Sequence, residues 1–190
     1  MATTSTVRRA VRTRWAAIGA AVAVTLGAGG IGAVSAQIGS GERPVTVTIT
    51  PRRILDTRFG IGLDGQFTTN SPRDLQVTGD IEVAGANNTT LVGTVVPPGA
   101  SAVLLNVTVI TPTHFGHLSL RPAGATGLPT TANVNFPAGS VTPNSATIDL
   151  SAAGALELWL VTASSSGTAH VVVDVLGYTF DHNHDDRYPT

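Results

Sequence analysis

The 190-residue chain contains no cysteine, and because all 11 of its basic residues are arginine it contains no lysine either. Without cysteine, neither a disulfide scaffold nor a thiolate-based zinc or nucleophile site can form. Charged residues reach only 12% and aromatic residues only 5%. So sparse a charge excludes a long helical bundle or coiled coil. A basic excess is missing as well. Residues 1–36 hold Arg8, Arg9, Arg12 and Arg14 and no acid, so residues 37–190 carry seven arginines against all 12 acids, a net charge of -5. That is the wrong surface for nucleic acid, and no nucleic-acid partner is expected. With 42% hydrophobic residues and a small overall charge, the bulk of the chain is not disordered.

The first 36 residues read as a targeting segment. A polar, arginine-bearing stretch precedes an uncharged run of Ala, Val, Gly, Leu and Ile over residues 16–34. Val34-Ser35-Ala36 then offers small residues where a signal peptidase cuts, leaving Gln37 as the new N-terminus. The run is long enough for an uncleaved membrane anchor. Its Ala/Gly-rich composition and the adjoining cleavage site favour a signal peptide over residues 1–36. The expectation is a secreted, extracellular or cell-surface protein with no stable membrane insertion after cleavage.

What the rest of the chain does contain is alternation. Val45, Val47 and Ile49 alternate with threonines, Val103, Leu105, Val107 and Val109 with Leu104, Asn106 and Thr108, and Leu156, Leu158 and Leu160 with Glu157 and Trp159. A period of two is the signature of strands with one buried face. The breaks are turn chemistry: Pro97-Pro98-Gly99, Pro122-Ala123-Gly124, Pro137-Ala138-Gly139 and Ala153-Gly154. Residues 37–180 are therefore expected to form one all-β domain, an antiparallel β-sandwich of nine or ten strands in a jelly-roll or immunoglobulin-like arrangement. In the last strand Val171, Val173 and Val175 line one face, while Val172, Asp174, Leu176 and Tyr178 line the other. That predicts a central strand with a partly buried Asp174 in need of a partner.

Several runs recur together in order: Ile54-Leu55-Asp56-Thr57-Arg58, Leu105-Asn106-Val107-Thr108-Val109, residues 116–122, Asn133-Val134-Asn135-Phe136-Pro137-Ala138-Gly139, Asn144, and His170 through Gly177-Tyr178. Over residues 44–180 this series resembles a β-rich module of exported actinobacterial proteins, found alone, repeated or appended to secreted hydrolases. The resemblance implies a non-catalytic extracellular accessory domain and brings no catalytic residues. Physics assigns the motif residues structural work: Asp56 and Arg58, two apart at a strand end, leave the chain on one side. Arg58 or its neighbours are then expected to pair with Asp174. The asparagines at 106, 133, 135 and 144 would satisfy backbone groups. The alternative is a ligand site of Asp56, Arg58, Asn106 and Asp174.

Residues 181–190 form a separate polar His/Asp tail. His182 to Tyr188 resembles a short collar element of phage tail fibres and related trimeric surface proteins, although Pro189 departs from that pattern. The resemblance implies a homotrimer in which His182 and His184 of three chains converge on iron, nickel or zinc. The alternative is a solvated acidic tail with no cofactor.

An enzyme is not expected, since no Gly-x-Ser-x-Gly elbow, phosphate loop or HExxH is present. His114 and His117 flank a turn with no third ligand placed. Trp159 lies on the Glu157 side of its strand. On a wet face it is a platform for stacking on sugar rings; under the opposite sheet it is core. The functional expectation is a secreted, non-catalytic structural or adhesive protein, self-associating through its tail. A carbohydrate or cell-wall polysaccharide binding module stands as the alternative, and a secreted hydrolase as the third.

Overall fold

The computed structural model describes residues 42–183, with side chains from Pro44 to Asp181. Residues 1–36, expected as the signal peptide, and the tail beyond Asn183 lie outside the described residues. Eleven strands form: β1 (Glu42–Asp56), β2 (Phe67–Thr68), β3 (Arg73–Gln76), β4 (Asp80–Ala84), β5 (Thr90–Thr94), β6 (Ala102–Ile110), β7 (Gly116–Pro122), β8 (Val134–Phe136), β9 (Val141–Asp149), β10 (Ala155–Thr162) and β11 (Thr168–Asn183). The count exceeds the expected nine or ten because β2 is a two-residue strand that no periodicity marks. Among the described residues the only helical element is a 3₁₀ turn at Ala86–Asn88, and no helix is long and apolar enough to cross a membrane.

Two four-stranded antiparallel layers carry the fold, in the orders β1-β11-β6-β9 and β3-β10-β7-β8, with β2 attached to β11 and β4-β5 standing as a separate hairpin. Numbered along the chain without β2 and the hairpin, the eight strands pair first with eighth, second with seventh, third with sixth and fourth with fifth. This is an antiparallel ribbon rolled on itself, the jelly-roll arrangement, and it decides against the immunoglobulin-like alternative. β11 lies between β1 and β6, as its two apolar faces predicted.

The core is the inward half of each alternation. Val103, Leu105, Val107 and Val109 of β6 and Val171, Val173 and Val175 of β11 have no exposed surface, and they face Leu118, Leu156, Leu158 and Leu160 of the other layer, also fully buried. Each such side chain contributes about 1.5–3 kcal/mol of burial. The four glycines of the predicted turns, Gly99, Gly124, Gly139 and Gly154, adopt φ of 89, 81, 70 and 74°, a region that side chains with a Cβ disfavour.

Gly177 is required for a different reason. A register shift between Val175 and Gly177 interrupts the β11–β6 ladder. A Cβ at Gly177 would stand 2.6 Å from the Val47 carbonyl oxygen and 3.3 Å from Thr48 Cα of β1. Backbone, not a pliable side chain, occupies that space. Gly177→Ala is expected to push β1 off β11 and lower stability by about 1–3 kcal/mol. Chemical denaturation measures this directly; an unchanged midpoint would show that β1 shifts freely.

Candidate functional site

Asp56 closes β1. Ile54 and Leu55 before it are fully buried, and the chain then reverses in a tight loop, with the Phe59 N–H donating to the Asp56 carbonyl at 3.0 Å and the Asp56 N–H to that of Ile61 at 3.0 Å. The Asp56 side chain has no exposed surface. Arg58 folds back from the loop and grips it bidentately, Nε to Oδ1 at 2.9 Å and Nη2 to Oδ2 at 2.7 Å, while the Arg58 backbone N–H donates to Oδ1 at 3.2 Å. Arg53 donates to the same carboxylate through Nη1 at 3.2 Å. Its remaining donors turn to Asp174, Nε at 2.8 Å and Nη2 at 3.3 Å.

The result is a chain of alternating charge, Asp174–Arg53–Asp56–Arg58, two acids balanced by two bases. Asp56, Arg58 and Asp174 lie in one network, and of Arg58 and its neighbours it is Arg53 that meets Asp174. Arg53 lies within β1, next to β11 in the layer, whereas Arg58 has already passed the strand end. Burial works to raise the Asp56 carboxyl, but the hydrogen bonds and charge of Arg58, with the charge of Arg53, outweigh it and hold it below its ordinary range. Hydrogen bonding to Asp174 and Asp56, against burial, correspondingly raises the Arg53 and Arg58 guanidiniums.

Thr57, 1% exposed, completes the run. Its hydroxyl accepts the Val171 N–H at 3.0 Å and lies 3.0 Å from His170 Nδ1. Chemically this is a closed network. The Asp56 oxygens are taken by arginine donors and offer a ligand no access. Asn106 stands directly across from Asp174 in the β6–β11 register, yet among the described residues no side-chain hydrogen bond ties it to the network. The structural reading of these residues therefore fits better than the ligand-site reading.

Trp159 occupies neither of its two expected environments. It faces away from the core, opposite Leu158 and Leu160, but that outer face is covered. Its cross-strand neighbour Ser119 is fully buried and donates its hydroxyl to the Thr131 carbonyl, and Arg121 Nη1 donates to the Gly127 carbonyl at 2.8 Å. The β7–β8 connection thus crosses over this sheet. Arg121 also pairs with Glu157, Nε to Oε1 at 2.6 Å, with side chains only 15% and 12% exposed, and places its guanidinium 5.2 Å from the Trp159 ring centre. One ring face is stacked by a cation and the indole N–H is buried without a protein partner. A sugar platform needs an open ring.

The asparagines divide. The Asn133 side chain accepts the Leu120 N–H at 2.7 Å, and Asn144 Nδ2 donates to the Asn133 carbonyl at 2.6 Å, tying the two layers together. Asn135 is exposed. His114 hydrogen-bonds Thr113, and among the described residues no three His, Asp or Glu side chains are grouped to hold a metal. The metal candidates His182 and His184 lie outside the described side chains.

Arg53, His170 and the Arg121–Glu157 pair escaped the sequence reading. Arg53 sits three residues before Asp56, a spacing that a regular strand does not bring together. Arg121 and Glu157 lie 36 apart and meet only through the β7–β10 register. Comparison of the chain with protein-family models, with curated proteins and with solved structures gives no match.

Proposed function

We propose that the protein is an exported, non-catalytic module that serves at the cell surface in a structural or adhesive role, like the accessory modules its motif runs resemble. The observation that carries this reading is how completely the motif residues are committed to architecture. Asp56 and Arg58 neutralise one another, Thr57 holds β11, Asn133 and Asn144 join the layers, and Gly177 admits β1. Residues held this way are not free to act on a substrate. The surface left to work with is the outer face of β6 and β9, where Leu104 stands across from Thr147, Asn106 from Ser145 and Thr108 from Pro143, with Asp149 as its one charge at the strand end, a face suited to broad contact rather than to a single ligand.

Fractionation of the producing cells tests this reading. The protein is expected outside the cytoplasm with Gln37 as its N-terminus, and to co-sediment with cell envelopes without degrading them. Recovery in the cytoplasm with residues 1–36 intact, or release of wall fragments by the purified protein, would overturn it. Retention on purified peptidoglycan that disappears in Trp159→Ala would replace it with the carbohydrate-binding alternative.

A further inference from the structure

The free strand edges of this fold are guarded with one exception. β1 and β9, the edges of one layer, carry Pro51 and Pro143, and β3 and β8, the edges of the other, are only four and three residues long. Proline and shortness are the usual ways to block unwanted strand pairing. In the separate hairpin, β4 carries Asp80 and Glu82. β5, with the sequence Thr-Leu-Val-Gly-Thr, has no charge and no proline, and it exposes 51% of Leu91 and 74% of Val92. Its free side overlooks a groove of about 350 Å³ floored by Ile49, Thr50, Arg52 and Val83.

A second, independent feature lies in the same strand. Every other glycine from Gly60 to Gly177 either has positive φ or has an atom within 3 Å of where its Cβ would stand. Gly93 has neither: its backbone is ordinary and nothing lies within 4 Å. Among the described residues nothing calls for glycine there. A glycine in mid-strand weakens the strand and marks a place where another chain approaches closely.

We propose that β5 is a self-pairing edge, through which two copies of this chain join antiparallel about Val92. The sequence of β5 is complementary to itself in that register. Val92 meets Val92, Thr90 meets Thr94, and Leu91 of each copy lies across from Gly93 of the other, on the face that Val83 and Ile81 share in the hairpin. The absent side chain at 93 leaves room for the leucine over the groove, and no like charges are opposed. The pairing is isologous and closes at two copies. This inference rests on the structural role proposed above and assigns the self-association that the sequence led one to expect of the tail to β5 instead.

Sedimentation of the purified full chain, with and without chelator, tests it. A dimer insensitive to chelator is expected. Gly93→Val fills space that is empty in the single chain, favours the strand, and should leave the folded chain intact while weakening the dimer by about tenfold or more. Val92→Lys, at the most exposed position, should do the same by opposing two charges, and hydrogen exchange at residues 90–94 should quicken in both variants. A chelator-sensitive trimer untouched by Gly93→Val would overturn strand pairing and support the tail. A monomer at several hundred micromolar would overturn both forms of self-association. Protection of β5 in a monomer only when peptidoglycan fragments are added would overturn the second copy as its occupant.

Discussion

Asp56→Ala is expected to destabilise the protein by about 3 kcal/mol, at the lower end of what removing one partner of a buried pair costs, because both arginines reach solvent. Their side chains are 34% and 37% exposed, whereas that of Asp56 is fully buried. The midpoint of thermal unfolding should fall by about 10 °C. The loss comes from two guanidiniums left without their shared acceptor and from the Arg58 backbone N–H, which also uses it. Asp56→Asn, which preserves the shape, separates the charge from the packing.

Acid provides the same test without a mutation. The folded carboxyl lies below its free value of 3.8, so its contribution is complete above about pH 5 and is lost as pH falls through the folded value. The stability difference between the native chain and Asp56→Asn should therefore be full at neutral pH, begin to shrink as pH falls towards about 4, and close only as pH passes below the folded value. A gap that persists unchanged into acid would mean that packing, not charge, is what Asp56 supplies.

Leu158→Ala should cost about 2–5 kcal/mol, while Trp159→Phe next to it should be neutral or slightly stabilising. Leu158 is fully buried in β10, between β3 and β7, and the layer opposite cannot collapse fully into the space a leucine leaves. Trp159 points the other way. Phenylalanine keeps a ring beneath Arg121 and removes the indole N–H that has no partner. Urea denaturation of the two variants side by side measures the contrast. Equal losses would place Trp159 in the structural core after all.

Asp174 shows how far a one-dimensional pattern reaches. Its place among valines announced a half-buried carboxylate on a central strand, and that is where it stands. Its partner was unreadable, because Arg53 lies 121 residues away and reaches it only once β1 has been laid beside β11. Trp159 shows the opposite limit. Alternation placed it correctly on the face away from the leucines, yet whether that face is wet depends on a loop, residues 123–133, whose path no periodicity encodes.

The composition and the period-two alternation by themselves determined an all-β sandwich, its inward residues, its glycine turns and the centrality of β11, because these follow from side-chain spacing along a strand. Only the tertiary structure decided between jelly-roll and immunoglobulin-like order, paired Arg53 with Asp174 and Arg121 with Glu157, covered Trp159 and left β5 as the unguarded edge. Those outcomes depend on which strands become neighbours, and strand pairing is settled by contacts between residues far apart in the chain, which local pattern does not carry.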